Sequence, residues 1–214
     1  MNKPAIGVDI DGTITDFSSF LLKKSPKYMK KKYKLDLANP NGYDIDEMYD
    51  LIGYAQRNHI PNPELYSKKM VKKFWNKYYI SYCLGKNCRA GITEFLSLCG
   101  RLYDIVIFTS RDRSTVKGIV GLFVRTMTRL QLKKYRIKYD RINYYKNDES
   151  KISGIKEIKP QFMIDDKPDL LKQICYDIKA VCISAPYNSD VIDDKSIFKS
   201  SSLKEIYEYI SNGG

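Results

Sequence analysis

The sequence predicts an α/β protein: a parallel sheet with helices on both faces, interrupted after its first strand by an inserted α-helical segment. Three observations predict it. Short apolar runs rich in Ile, Val and Phe alternate with stretches of helical periodicity, the pattern of strands buried on both faces beneath crossover helices. Over ninety residues separate the first run from the second, too many for one crossover or a structureless loop. Carboxylates and hydroxyls recur where the runs end.

Residues 5–10 (AIGVDI) read as the first strand. Residues 17 to about 88 then read as mostly helical, with Met48, Tyr49, Leu51 and Ile52, then Tyr66, Met70, Val71, Phe74, Trp75 and Tyr78 at helical spacing. Turns are expected at 39–42 (NPNG) and 60–63 (IPNP). A helix over 89–98 returns the chain to the core, which gives residues 1–16 and 89–214 as an α/β core and 17–88 as the insertion. Strands follow at 104–109 (DIVIFT), 141–145 (RINYY), 162–164 (FMI, ending at Asp165) and 180–184 (AVCIS). Helices are expected over 114–132, with Val116, Ile119, Val120, Phe123, Val124, Met127 and Leu130 as its apolar stripe, over 150–159, and over 169–178 after Pro168. Ser202 and Glu205 form a capping-box pattern opening a final helix. An insertion at the carboxyl end of a strand lies over the crevice where open α/β sheets bind ligands, a position that suits a lid.

A chain of 214 residues suffices for one core plus an inserted subdomain. No stretch approaches the roughly 18 apolar residues of a membrane span, and the N-terminal segment carries Asp9 and Asp11 where a signal peptide would be uncharged. The expectation is a cytoplasmic protein without membrane partners. Five cysteines (Cys83, Cys88, Cys99, Cys175, Cys182), odd in number and without a CxxC pair, read as buried reduced thiols. His59, the only histidine, receives no catalytic role. The net charge of +12 includes a dense run over 23–34 in which Tyr28 and Tyr33 interrupt the lysines. Such a run suits base stacking, but charge runs are ordinarily solvated faces, and that reading is preferred. A positive field also attracts any anionic substrate.

Asp9-Ile10-Asp11-Gly12-Thr13 follows the first strand. At extended geometry the two carboxylates lie on one side of the chain. They repel unless a cation neutralises them, and a hard divalent ion such as Mg²⁺ does so with oxygen ligands. Gly12 permits the tight turn. Asp165-Asp166 ends the fourth strand, and Thr109-Ser110-Arg111 ends the second. A parallel sheet brings these ends to one edge, so four carboxylates, two hydroxyls and an arginine are expected in one crevice. The carboxylates imply a metal, and the hydroxyl and cationic groups beside it imply a phosphate.

With these residues in view, the chain resembles the haloacid dehalogenase (HAD) superfamily of phosphatases. Asp9 to Thr13 matches its DxDGT motif, the run 105–108 ending at Thr109 its second motif, and Met163-Ile164-Asp165-Asp166 its fourth. DxDGT arises by chance in a chain this long roughly a few times in a thousand, and three motifs in order are more specific still. The resemblance covers the whole chain and implies a Rossmann-like, HAD-like core with a helical type-one cap. It implies Asp9 as nucleophile forming an aspartyl-phosphate, and Asp11 as acid and then base. Mg²⁺ would be held by Asp9, the Asp11 carbonyl and Asp165, with Asp166 as ligand or neighbour. Thr109 would bind the transferring phosphoryl group. Ser110, Arg111, Gly12 and Thr13 are the further candidate substrate contacts. A lysine must neutralise Asp9 and the phosphate. Lys151, at a helix start, is the preferred candidate; Lys146 and Lys156 are rivals.

Within the superfamily the chain looks similar to the 5′(3′)-deoxyribonucleotidase-like branch. Those signals are a helical insertion directly after DxDGT, Phe74-Trp75 with Tyr78, Arg89-Ala90-Gly91, and Thr109-Ser110-Arg111. Thr13 departs from the apolar residue often found there in that branch. Phe17, Phe20, Tyr43, Trp75 and Tyr78 form either a base-stacking surface or the core of the insertion. The resemblance implies a nucleotidase acting on a small phosphorylated metabolite, a nucleoside or deoxynucleoside monophosphate. Alternatives are a phosphatase for a sugar phosphate or other small biosynthetic ester, and a nucleic-acid-binding protein or end-processing 3′-phosphatase, which an enclosing cap disfavours. The base, the sugar, the phosphate position and the oligomeric state stay open.

Overall fold

A computed structural model describes residues 3–189 and 196–214. In chain order the elements are β1 (Ala5–Val8), α1 (Phe17–Tyr33), α2 (Ile45–Tyr49), α3 (Leu51–Arg57), α4 (Pro63–Leu84), α5 (Ile92–Leu102), β2 (Asp104–Thr109), α6 (Ile119–Lys134), β3 (Arg141–Tyr144), α7 (Asp148–Ile158), β4 (Phe162–Asp165), α8 (Pro168–Lys172), β5 (Lys179–Ile183), a 3-10 turn (Pro186–Asn188), β6 (Ile197–Ser200) and α9 (Leu203–Ser211). They divide into two compact units, Met1–Asp16 with Cys88–Gly214, and Phe17–Asn87.

The first unit is built on one parallel sheet with strand order β3-β2-β1-β4-β5-β6. Alternate side chains leave a strand on opposite faces, and both faces are covered. Ile6, Val8, Ile105, Ile107, Phe162, Ile164, Val181 and Ile183 pack with α5, α9 and Leu132 of α6. Val106, Phe108, Met163, Ala180 and Cys182 pack with α7, α8, Ile174 and Ile178. The expected parallel sheet with helices on both faces is the observed architecture.

Several expectations change in detail. β1 ends at Val8, not Ile10, because Thr15 captures the Ile10 carbonyl with its amide (2.9 Å) and hydroxyl (3.0 Å) and turns the chain. β3 is an edge strand, and its residues are exposed or half-buried, so it is not covered on both faces. β6, absent from the sequence reading, forms the other edge; its four residues, IFKS, are too few and too polar to stand out. α6 starts at Ile119, past Gly118, rather than at Ser114. Of its expected apolar stripe only Val124 and Met127 are buried, while Val116, Ile119, Val120, Phe123 and Leu130 are exposed. The buried side rotates toward Gly121, Thr128, Gln131 and Leu132. α5 starts at Ile92, after Gly91 at positive φ. α8 stops at Lys172, although Ile174 and Ile178 remain buried. The α9 cap is one-sided: the Ser202 hydroxyl accepts the Glu205 amide (3.3 Å), but the Glu205 carboxylate accepts the Ser200 hydroxyl (2.5 Å) instead of closing the box.

The second unit is helical, as expected for this stretch, with α1 to α4 and turns around 40–41 and 58–62. Its aromatic residues pack on one another. Phe20 and Phe74 are buried, and Phe17, Tyr43, Trp75 and Tyr78 are half-buried. Phe17 stacks on Trp75 (5.7 Å between centroids) and touches Tyr43 (5.5 Å), while Phe20 meets Tyr82 (4.9 Å). The basic run lies on α1 and its end. Lys23, Lys27, Lys30, Lys31, Lys32 and Lys34 are exposed, whereas Tyr28 is buried against Phe74 (5.4 Å) and Tyr78 (5.8 Å). The lysines are a solvated face, and Tyr28 offers no open ring to a base.

Cys83, Cys99 and Cys182 are buried; Cys88 and Cys175 are only half-buried, and all five are free thiols. Among the described residues no helix is long and apolar enough to cross a membrane.

Gly7 lies in a central strand where a side chain has no room: a β-carbon there would sit 2.6 Å from Met163 Sδ and 3.0 Å from Phe108 Cε2. Gly7→Val is therefore expected to destabilise the fold by about 1–3 kcal/mol through overpacking, read from the midpoint of a urea denaturation curve.

Candidate active site

The site grows from the register of three strands. Val8 pairs with Ile107 on one side and Ile164 on the other, so Asp9 comes next at the carboxyl edge, level with Phe108 and Asp165. Its amide still bonds to the Ile164 carbonyl (3.0 Å). The turn that follows needs Gly12 at φ +93°, which a side chain rarely adopts. A β-carbon there would also run into the Asp166 carboxylate and the Tyr187 hydroxyl. Arg89 pins the turn from outside, donating from Nε to the Thr13 carbonyl (3.0 Å) and from Nη2 to the Gly12 carbonyl (2.5 Å).

At the centre lies Lys151, 1% exposed, on the first turn of α7. Its ammonium donates to Asp9 Oδ1 (2.5 Å) and to Asp165 Oδ2 (2.7 Å). Lys146 and Lys156, the rival candidates, are exposed. The other Asp165 oxygen accepts the Lys167 amide (3.0 Å). Asp9, Asp165 and Asp166, all buried, bring carboxylate oxygens within 4.8 Å of one another. Three carboxylates thus face one buried ammonium. Asp166 Oδ2 accepts the Tyr187 hydroxyl, but Asp166 Oδ1 is buried without a hydrogen-bond partner. An orphaned carboxylate oxygen is costly, and together with two neighbouring carboxylates it is the donor set of a hard divalent cation. The residues fit such an ion.

Asp11 is not in this cluster. Arg111, 7% exposed, grips its carboxylate as a fork, Nε to Oδ2 (2.7 Å) and Nη2 to Oδ1 (2.6 Å), with Nη1 on the Thr128 hydroxyl (3.1 Å). The four carboxylates expected together divide into three around Lys151 and one on Arg111. Thr109 is buried at the end of β2. Ser110 donates to Asp148 Oδ1 (2.6 Å), whose other oxygen pairs with Lys167 (2.7 Å), so one carboxylate ties the loops after β2 and β4 to the start of α7. Thr13 is buried, and its hydroxyl has no hydrogen-bond partner.

The electrostatics follow from burial. Asp9 is pushed up to about 7, chiefly by loss of water, with Asp165 and Asp11 adding to the rise and Lys151 opposing it. Asp166 is raised well above the carboxylate range by burial, then by Asp165 and Asp9. Burial alone would lower Lys151, but Asp165 and Asp9 outweigh it and hold the ammonium charged. Burial would raise Asp148, yet Lys167 and the Ser110 hydroxyl bring it below its ordinary value.

Several residues of the site had no place in the sequence reading. Tyr187 and Asn188 follow β5 in a Pro-Tyr-Asn turn, and Asp148 looks like an ordinary acidic first-turn residue of a helix. Their signal was weak: a turn just past the carboxyl end of a strand, at the edge where the other groups gather.

No protein-family model and no curated protein matches this sequence. Solved structures do. The chain is similar to a haloacid dehalogenase-like family hydrolase from Streptococcus pneumoniae (TM-score 0.63, 15% identity, 97% of this chain and 98% of that one). It is similar to a chain described as a predicted phosphatase from Clostridium acetobutylicum (TM-score 0.62, 16% identity, 99% and 100%). A third is the HAD-hydrolase YfnB from Bacillus subtilis bound to magnesium (TM-score 0.60, 13% identity, 98% and 99%). At these identities the likeness is one of fold: the chain has the Rossmann-like α/β fold of the HAD-superfamily hydrolases.

Proposed function

We propose that this chain is a Mg²⁺-dependent phosphomonoester hydrolase with Asp9 as its nucleophile. The observation that carries the reading is the buried group of Asp9, Asp165 and Asp166 around Lys151, with Asp166 Oδ1 left unpartnered. In this reading Asp9, Asp165 and Asp166, with the Asp11 carbonyl, hold Mg²⁺. When bound, the ion screens the repulsion between an anionic nucleophile and an anionic phosphate.

The chain's own residues do the rest. Lys151 holds Asp9 Oδ1, so Oδ2 is the attacking atom. Asp9 Oδ2 forms a bond to phosphorus as the bond from phosphorus to the leaving oxygen breaks, and Asp11 gives that oxygen a proton. Asp11 then takes a proton from water, the water oxygen attacks phosphorus, and the aspartyl-phosphate opens to inorganic phosphate and free Asp9. The Arg111 fork fixes the orientation of Asp11 through both carboxylate oxygens. Thr109, buried at the end of β2, donates its hydroxyl to the transferring group, with Thr13 and the Gly12 turn as further contacts. The Phe17–Asn87 unit is the cap.

The substrate is a small phosphorylated metabolite, with nucleoside and deoxynucleoside monophosphates the first to be screened. Phe17, Tyr43, Trp75 and Tyr78 of the Phe17–Asn87 unit are half-buried aromatic residues of a kind that can stack on a base. Arg89 and Arg111, two residues of the nucleotidase-like resemblance, have backbone and carboxylate partners within the core. Their presence therefore does not by itself separate nucleotides from sugar phosphates.

Phosphate release from a panel of nucleotides and sugar phosphates is expected with Mg²⁺ and lost with a chelator. Asp9→Asn, which keeps the shape but not the nucleophile, is expected to reduce turnover by roughly 10³-fold or more with its circular dichroism spectrum unchanged. Appreciable activity in that variant would overturn the mechanism.

A pH dependence follows from Asp9, whose value of about 7 in the fold stands above the ordinary 3.8 of an unfolded chain. Between these values the metal-free fold holds a proton that the unfolded chain releases, so its stability gains from this group as pH falls through 7 and loses as pH rises. Mg²⁺ needs the ionised form. Its stabilising shift in Tm is therefore expected to be larger at about pH 8 than at about pH 5.5, measured by thermal melts with and without the ion.

A further inference from the structure

We propose that Tyr187 is a positioning residue for the cation site, holding Asp166 so that one carboxylate oxygen is presented to the ion; this rests on the metal reading above. The Tyr187 hydroxyl donates to Asp166 Oδ2, while Asp166 Oδ1 is buried and has no hydrogen-bond partner. A carboxylate with one oxygen engaged and the other bare has a single orientation in which the bare atom faces the ligand. Asp165 needs no such help, because Lys151 and the Lys167 amide occupy its two oxygens.

The turn that carries Tyr187 is itself held in place. Asn188, 1% exposed, donates from Nδ2 to the Asp166 carbonyl (2.7 Å) and the Ile183 carbonyl (3.0 Å), and its Oδ1 accepts the Ala185 amide (2.8 Å). Lys199 of β6 donates to the carbonyls of Asn188 (2.7 Å) and Ser189 (2.7 Å). One side chain therefore grips the backbone of Asp166 while its neighbour grips the carboxylate, and both ride on the same short turn after β5. Gly12 leaves room for this pair: a β-carbon there would run into Asp166 Oδ2 and the Tyr187 hydroxyl together. Groups that orient a metal ligand in this way are generally worth 10- to 100-fold in affinity.

The test is Tyr187→Phe, which removes only the hydroxyl, read by Mg²⁺ titration in thermal melts of the full chain. Asp166→Asn and wild type are measured alongside. The expected result is a wild type that binds Mg²⁺, a Tyr187→Phe variant that binds roughly tenfold or more weakly, and an Asp166→Asn variant weaker still. Where phosphate release is measurable, Tyr187→Phe is expected to recover wild-type turnover at saturating Mg²⁺ with the KM for the phosphoester unchanged. A purely structural tyrosine would instead lower the melting temperature without metal and leave the Mg²⁺ midpoint alone; that outcome, or equal midpoints in the two proteins, overturns the inference. If Tyr187→Phe does not fold, Asn188→Ser, which shortens the side chain that fixes the turn, is expected to weaken Mg²⁺ in the same direction, and an unchanged midpoint overturns the proposal. A wild type with no response to Mg²⁺ overturns the metal reading itself, and is distinguished from failure of the tyrosine's role by that absence.

Discussion

The buried carboxylate cluster at the carboxyl edge of the sheet depends on one ammonium group, that of Lys151, shared between Asp9 and Asp165 inside the protein. Three buried carboxylates within a few ångströms repel one another and lose their hydration, and in a low-dielectric setting neither cost is tolerated without a counter-charge. Lys151 supplies one from a neighbouring element, so α7 has to be seated closely on the sheet. Asn147 caps that helix through a reciprocal pair with Ser150. Gly154, one turn after Lys151, leaves space for the Tyr145 ring, which stacks on Phe108 of β2 (6.1 Å). The helix is thus fixed at its start by a cap and along its length by ring packing. Three carboxylates share that one ammonium, a donor set that fits a hard cation.

The turn after β1 is held independently of the insertion. Thr15 closes it onto Ile10, pairs with Cys88 in an isolated bridge, and the Arg89 amide bonds to the Ile14 carbonyl (3.0 Å). The chain therefore leaves the core at Asp16 and returns at Cys88 through adjacent positions, and the Arg89 side chain fastens the Gly12–Thr13 carbonyls on return. An excursion whose two ends are tied together adds little strain to the unit it leaves, since closure entropy grows only slowly with loop length. The Phe17–Asn87 unit has its own aromatic core, with Phe74 and Tyr82 buried in it.

Charge is distributed unequally between surface and site. The lysines of α1 other than the half-buried Lys24 are solvated, and Lys32 and Lys77 lie over the Tyr28 ring (5.2 and 5.6 Å). The cations that matter at the sheet edge are few and each has a defined anion: Lys151 with Asp9 and Asp165, Arg111 with Asp11, Lys167 with Asp148. A net charge of +12 would by itself suggest a polyanion partner, yet the dense lysine run belongs to the Phe17–Asn87 unit and these pairs to the other.

The sequence alone determined the parallel sheet, the helical insertion after the first strand and the residues at the strand ends, because these are written in local patterns: the period of apolar residues, the runs of β-branched side chains, the Gly after two aspartates. It did not determine the edges or the boundaries. β6 is four residues long, and the apolar stripe of α6 has helical spacing but is largely exposed, so periodicity alone misplaced its buried side. Nor did it decide partners. Lys151, Lys146 and Lys156 are equivalent as letters, and only the seating of α7 brings one of them to Asp9. Asp9 and Asp11 are two residues apart, yet one faces Lys151 and the other Arg111. Tyr187 meets Asp166 across 21 residues of chain. Which polar group satisfies which is a question of distance in space, and a buried charge is settled by whatever counter-charge the tertiary structure brings within hydrogen-bonding reach.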